Sequence, residues 1–311
     1  MLRLTALALL LILAGCESRS AVRAIAPSEG LPCLASLDDP PVAAPGAIDA
    51  AWINDRALAD AVNKGATLLA DGGKAPPLEE LLPGLKNETA AIALPAPEAA
   101  AVRDPASLYA GAADATVIVA GLYKCDRCNN WHTSNASGFF ISADGLLVTN
   151  YHVVENEDRR AMVVATRDGR VFPVTKILAG NEAADVAIVK VEPVDAEGKP
   201  ATFAALPLAD GSRVGESAYA ISHPDGRYWT FTEGMVSRRY TGHRGANWIT
   251  ITADYARGSS GGPVVNDRGQ VIGIVASTSS VYYSTENGRQ ENLQMVWKQC
   301  VPVEAVRALI E

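Results

Sequence analysis

The chain has 311 residues, 48% of them hydrophobic and 20% charged, a balance that excludes wholesale disorder and a multi-span membrane protein. That length allows one large domain or two ordinary ones. A formal net charge of -8, with no basic stripe, speaks against nucleic acid as a partner, because backbone phosphates are held by clustered Lys and Arg.

At the N-terminus, Arg3 precedes an apolar run over residues 4–14 that is too short to span a bilayer as a mature helix and reads as a signal peptide. The run ends in Leu13-Ala14-Gly15-Cys16, which resembles the bacterial lipobox. The resemblance implies a lipoprotein signal over residues 1–15 and lipidation of Cys16, which would tie the mature chain to a membrane. Glu17 stands where an aspartate favours inner-membrane retention in some Gram-negative bacteria, so the expected location is the cell envelope, facing the periplasm or the exterior, with the outer membrane open as a destination. An ordinary secretory signal with an incidental cysteine predicts the same export.

Export makes the remaining Cys33, Cys125, Cys128 and Cys300 candidates for disulfides, with three connectivities that sequence alone leaves open. Cys125 and Cys128 form a Cys-x-x-Cys pair, read either as a bridge or thiols, or as part of a small zinc site with His132 and Cys300, since tetrahedral zinc favours thiolate and imidazole.

Residues 16–105 are rich in Ala, Pro and Gly and read as a tether, with short helices predicted over residues 50–69 and 78–85 that allow a small helical cap. From residue 106 the pattern changes to short runs rich in Val, Ile, Tyr and Thr. Strands are predicted over 115–123, 138–142, 146–150, 161–167, 171–178, 186–191, 217–222, 228–238, 248–253, 263–265, 271–277 and 293–297. The turn pairs Asp144-Gly145, Asp168-Gly169 and Arg268-Gly269 fall between these runs and suit hairpins. A last helix is predicted over 302–310, with Pro302 in its first turn. The pattern predicts an all-β barrel or sandwich.

Amide hydrolysis by serine needs a hydroxyl, an imidazole to take its proton, a carboxylate to hold that imidazole, and backbone N–H groups aimed at the oxyanion. Gly258-Ser259-Ser260-Gly261-Gly262-Pro263 has the right chemistry for the nucleophile loop. It also satisfies Gly-x-Ser-x-Gly, the nucleophile elbow of α/β-hydrolases, but that fold needs its histidine after the serine. The four histidines, His132, His152, His223 and His243, all precede Ser260. His223, in a Pro-Asp-Gly turn signal, reads as structural and His243 as solvated.

Three segments carry a resemblance. Residues 137–154, from Ser137-Gly138-Phe139-Phe140 through Asp144-Gly145 to Thr149-Asn150-Tyr151-His152-Val153-Val154, are similar to the histidine hairpin of bacterial trypsin-like, HtrA/Deg-like serine proteases. Ala184-Asp185-Val186-Ala187-Ile188 resembles the aspartate strand, and Gly258 to Pro263 the nucleophile motif, with Ser259 where Asn or Asp is commoner. The resemblance implies two antiparallel β-barrels over residues 106–311 closed by a C-terminal helix. It implies a His152, Asp185, Ser260 triad and an oxyanion hole from the Gly258 and Ser260 amides, acting on protein or peptide substrates without a cofactor. Asp254, six residues before Ser260, stands where trypsin-type enzymes keep the acid of a basic specificity pocket, with a cap on its own turn as the alternative, and Ala276, Ser277 and Thr278 would line that pocket. The chain ends just after the last helix, leaving no room for a C-terminal PDZ domain, so a monomer is expected. The competing class is a binding lipoprotein on the same fold that recognises peptides or envelope components without cleaving them.

Overall fold

The computed structural model describes residues 52–94, 100–124, 128, 130–155, 159–242, 245–286 and 288–311. The expectations for the signal segment, Cys16, Cys33, Cys125 and His243 lie outside them. Among the described residues no helix is long and apolar enough to cross a membrane.

Among the described residues twelve strands form two closed, antiparallel six-stranded barrels, as the resemblance implies. The first contains β1 (Thr116–Lys124), β2 (Trp131–Phe140), β3 (Leu146–Thr149), β4 (Ala161–Ala165), β5 (Val171–Asn181) and β6 (Val186–Val191), in the order β1-β2-β3-β6-β5-β4. The second contains β7 (Ser217–Ser222), β8 (Thr230–Thr241), β9 (Asn247–Ile251), β10 (Pro263–Val265), β11 (Val271–Glu286) and β12 (Arg289–Pro302), in the order β10-β11-β12-β9-β8-β7. The Val264–Ala220 pairing of β10 with β7 closes it.

Strand β1 shows why these segments are buried so fully: residues 116–122 are inaccessible on both faces, because one face lines the barrel and the other is covered by neighbouring elements. Inside the first barrel Phe140 stacks on Phe203 with centroids 4.0 Å apart, and Phe172 meets Phe203 edge-on at 5.0 Å.

Part of the segment predicted as a tether is packed on this barrel. Helix α1 (Asp55–Asp71) is capped by Asn54, whose Oδ1 accepts from Ala57 N–H at 3.0 Å. Leu58, Val62, Ala66 and Leu69, spaced to share one helix face, are buried against the barrel. Burial of each large apolar side chain contributes roughly 2 kcal/mol. Thr133 Oγ donates to Asn63 Oδ1 at 2.8 Å and Trp131 Nε1 donates to Asp71 Oδ1 at 3.0 Å, fixing the outer flank of α1 to β2. Helix α2 (Leu78–Leu81) runs into a 3-10 turn over Leu82–Lys86, and α3 (Pro105–Ala113) leads into β1, its N-cap Asp104 accepting from Ser107 N–H at 3.1 Å.

Helix α4 (Tyr151–Val154) is a single turn after β3. The C-terminal helix α5 (Val303–Arg307) is shorter than predicted. Pro302 ends β12 instead of opening the helix, and the chain past Ala308 pairs Ile310 with Ala90 in a parallel bridge.

Candidate active site

Strand β3 delivers the chain to Asn150 and then to His152 on α4. Asn150 is buried, and its Nδ2 donates to the Asp185 carbonyl at 2.9 Å, joining the two segments through main chain as well as side chain. Asp185 sits in the turn before β6 with φ 55, a left-handed conformation uncommon outside glycine, Asn and Asp. The turn is held by Asp185 N–H donating to Glu182 O at 3.2 Å and Ala184 N–H donating to Asn181 Oδ1 at 3.0 Å.

From that position the Asp185 carboxylate holds His152 twice. Oδ1 accepts from His152 N–H at 3.0 Å, and both carboxylate oxygens lie 2.9 Å from Nδ1. A carboxylate accepting from Nδ1–H leaves Nε2 of the neutral ring as the proton acceptor. The His152 side chain is 50% exposed.

Ser260 lies on the loop between β9 and β10. Gly258 has φ 93 and Gly261 φ 89, and neither site has room for a Cβ: one would fall 2.6 Å from His223 O, the other 2.0 Å from Ser137 O. The N–H groups of Ser259, Gly261 and Gly262 are consumed internally, by Ala256 O at 3.0 Å, Val275 O at 2.9 Å and Ser259 O at 3.0 Å. Among the described residues the Gly258 and Ser260 N–H groups have no such acceptor. Ser259, where the resemblance would put Asn or Asp, is fully buried with its hydroxyl 3.0 Å from that of Ser222.

Sequence reasoning gave no role to Ser137, although it opens the segment most similar to the histidine hairpin. Buried on β2, it ties the nucleophile loop of the second barrel to the first. Its N–H donates to Ser260 O at 2.8 Å, its Oγ donates to Gly258 O at 2.9 Å, and that Oγ accepts from His223 N–H at 3.1 Å. Thr149 Oγ1 donates to Ser137 O at 2.9 Å, so the residue three before His152 is linked to the same point. The Ser260 hydroxyl itself donates to Ala276 O at 3.1 Å, and among the described residues no hydrogen bond joins it to His152.

Asp254 lies at the surface of the second barrel. Its side chain is 86% exposed and pairs with Lys298 Nζ at 3.0 Å, beside a groove of about 540 Å³ between β8, β9 and β12 that is also lined by Arg238, Met295 and Trp297. Its neighbour Tyr255 turns inward, and its hydroxyl donates to Ser277 O at 3.0 Å and Gln299 O at 2.8 Å. Ala276 is buried at the foot of this strand, whereas Ser277 and Thr278 are exposed.

Of the residues weighed as zinc ligands, Cys125 lies outside the described residues, and the structure brings Cys128 and His132 together but not Cys300. Cys128 Sγ lies 2.9 Å from His132 Nε2 beside the first barrel, while Cys300 is buried in the second with Tyr255 Oη 3.6 Å away. Burial pushes the Cys300 thiol up to about 12. His223, read as structural, is fully buried, and burial pushes its imidazole down to about 4. Trp229 N–H donates to its Nδ1 at 3.0 Å.

The profile of the trypsin-like peptidase domain matches residues 136–274, a span that includes His152, Asp185 and Ser260. A protein named as serine protease HhoA from Synechocystis sp. is 37% identical over 145 residues, 44% of this chain and 35% of the relative. A periplasmic serine protease named do/HhoA-like from Haemophilus influenzae is 37% identical over 146 residues, 44% of this chain and 29% of the relative. Serine protease HTRA1 of Xenopus tropicalis is 36% identical over 148 residues, 45% of this chain and 31% of the relative. The chain thus spans about a third of the length of these relatives. Residues 136–274 are thus similar to a trypsin-like peptidase domain, and the relatives that match the chain are named as HtrA- and DegP-like serine proteases.

Proposed function

We propose that this protein is a serine endopeptidase of the bacterial cell envelope, held to a membrane by a lipid on Cys16, that cleaves protein or peptide substrates through an acyl-enzyme. The observation that carries the reading is the combination of a His152 ring gripped at Nδ1 by Asp185 with a nucleophile loop whose Gly258 and Ser260 N–H groups donate to nothing in the described protein. Relatives named as periplasmic proteases support the envelope location, and the apolar run before Cys16 supports the anchor.

In this mechanism Ser260 Oγ attacks the scissile carbonyl while His152 Nε2 takes its proton. The oxyanion is held by the Gly258 and Ser260 amides, and Asp185 stabilises the imidazolium. His152 then donates the proton to the leaving amine, and water, deprotonated by the same ring, releases the acyl group. No cofactor enters these steps.

A second reading, a silent protease-fold lipoprotein that binds peptides, is favoured by one observation: the Ser260 hydroxyl donates to Ala276 O. Catalytic hydrogen bonds are often unmade before substrate arrives, so this contact fits a resting enzyme as well. Incubation of the detergent-solubilised protein with unfolded casein separates the two. Fragments that appear with wild type and not with Ser260→Ala support the endopeptidase, whereas saturable casein binding without fragments supports the binding module.

A further inference from the structure

Strands β11 and β12 leave their barrel. Pairing with β10 ends at Ile274, yet the β11–β12 ladder continues from Ser277–Gln299 to Glu286–Arg289, and β12 pairs with β9 only as far as Lys298. Beyond these points the two strands form a ribbon that pairs with no third strand among the described residues, with exposed Val281, Tyr283, Leu293 and Met295, Tyr283 being 80% accessible. Exposed strand edges are normally shortened, charged or covered, because they pair with any extended chain that meets them. This one spans nine residues from Thr278 to Glu286, roughly 30 Å at the usual rise per residue.

The open edge starts at the reactive centre. Ser260 Oγ donates to Ala276 O, and two residues further on the edge is free. Tyr255 Oη bridges the carbonyls of Ser277 and Gln299, which directs the Ser277 backbone groups toward β12. Strand alternation then turns those of Thr278 and Ser280 to the open side. Chemistry gives the polarity of an occupant. His152 hands its proton to the leaving amine, so the C-terminal half of a substrate lies on the His152 side, in the first barrel. The acyl half lies on the side of Ala276 and β11.

Building on the endopeptidase reading, we propose that the ribbon is a docking arm for the substrate stretch N-terminal to the scissile bond. That stretch adds to the free edge of β11 as an extra strand well past Thr278, with its apolar side chains against those of the ribbon. Main-chain pairing of this kind is tolerant of sequence and selective for extended, unfolded chains. The partner is therefore an unfolded polypeptide with apolar residues five to nine positions before the cleaved bond.

The test compares two fluorogenic peptides with the detergent-solubilised protein, one carrying four residues before the cleaved bond and one carrying nine. Wild type is expected to raise kcat/KM by roughly tenfold or more on the longer peptide, equivalent to about 1.4 kcal/mol. Two variants remove the gain by different routes: replacement of residues 281–295 by Asn-Gly, a two-residue hairpin turn, and Ser280→Pro, which deletes one edge N–H while the pairing to β12 stays intact. Both are expected to cleave the short peptide as wild type does and to lose the preference for the long one. Equal kcat/KM for both peptides in wild type, or a gain retained in both variants, overturns the proposal. So does a wild-type dimer that dissociates in both variants without any length effect, since a second copy would then occupy the edge. If even the short peptide is uncut, or its cleavage survives Ser260→Ala, the endopeptidase reading itself fails.

Discussion

Ser137 Oγ donates to the carbonyl of Gly258 at 2.9 Å, so a side chain of the first barrel holds the loop that carries Ser260 in the second. The same oxygen accepts from His223 N–H at 3.1 Å. The Gly258 carbonyl shares its peptide unit with Ser259 N–H, which donates to Ala256 O at 3.0 Å, so Ser137 and Ala256 O hold both ends of the unit that links Gly258 to Ser259. Replacing Ser137 with Ala strands a buried N–H and a carbonyl, at a cost of roughly 1–3 kcal/mol. Urea denaturation of Ser137→Ala should show that loss, and casein cleavage should fall by more than the unfolded fraction explains.

Asp185→Asn keeps the shape of the carboxylate but favours the wrong tautomer of His152, because an amide can donate to Nδ1. The expected outcome is a fall in kcat of roughly 10,000-fold with little change in KM. The thermal midpoint should stay close to wild type, as Asn retains both the acceptor for His152 N–H and the tolerance for a positive φ.

His223 links stability to pH. Its imidazole is held near 4 when folded, against 6.5 as the ordinary value, so between these pH values the unfolded chain binds a proton that the folded one refuses. The contribution is fully present above pH 6.5, fades as pH falls toward 4 and is flat below, with a total of roughly 3 kcal/mol. His223→Asn, whose side-chain oxygen can accept from Trp229 N–H, should flatten the dependence of unfolding free energy on pH across that window. An unchanged slope would mean that other groups carry it.

Cys300 should be inert in the native protein. Its thiol is fully buried and pushed up to about 12. Iodoacetamide at neutral pH should leave it unmodified in the folded state and alkylate it in guanidinium, as read by peptide mass mapping.

Much of this architecture is legible in the sequence because barrel strands are short, apolar and punctuated by turns. Asp168-Gly169 falls between β4 and β5, and Arg268-Gly269 between β10 and β11. The ribbon is not legible: residues 277–292 are mostly Ser, Thr, Tyr, Glu, Gln and Asn, so a strand paired on one edge and wet on both faces shows no apolar period, and β11 was predicted to end at 277. The packing of α1 was hidden differently. Leu58, Val62 and Leu69 spell a helix face, but only tertiary contact shows what covers it, and the surrounding Ala and Pro suggested a tether. At the candidate site, the sequence order of His152, Asp185 and Ser260 was readable because each stands in a distinctive segment. The part of Ser137 was not, since a serine on a strand says nothing about a loop 121 residues away. Asp254 was read by spacing alone, and spacing does not reveal which way a side chain points; here it turns out to Lys298 while Tyr255 turns in.

Covalent labelling of the solubilised protein with a fluorophosphonate reports whether Ser260 is an activated nucleophile. One label per chain is expected, mapped to Ser260, absent in Ser260→Ala and slowed by orders of magnitude in His152→Ala. Absence of label on a folded wild type, or label that persists in Ser260→Ala, would contradict that expectation.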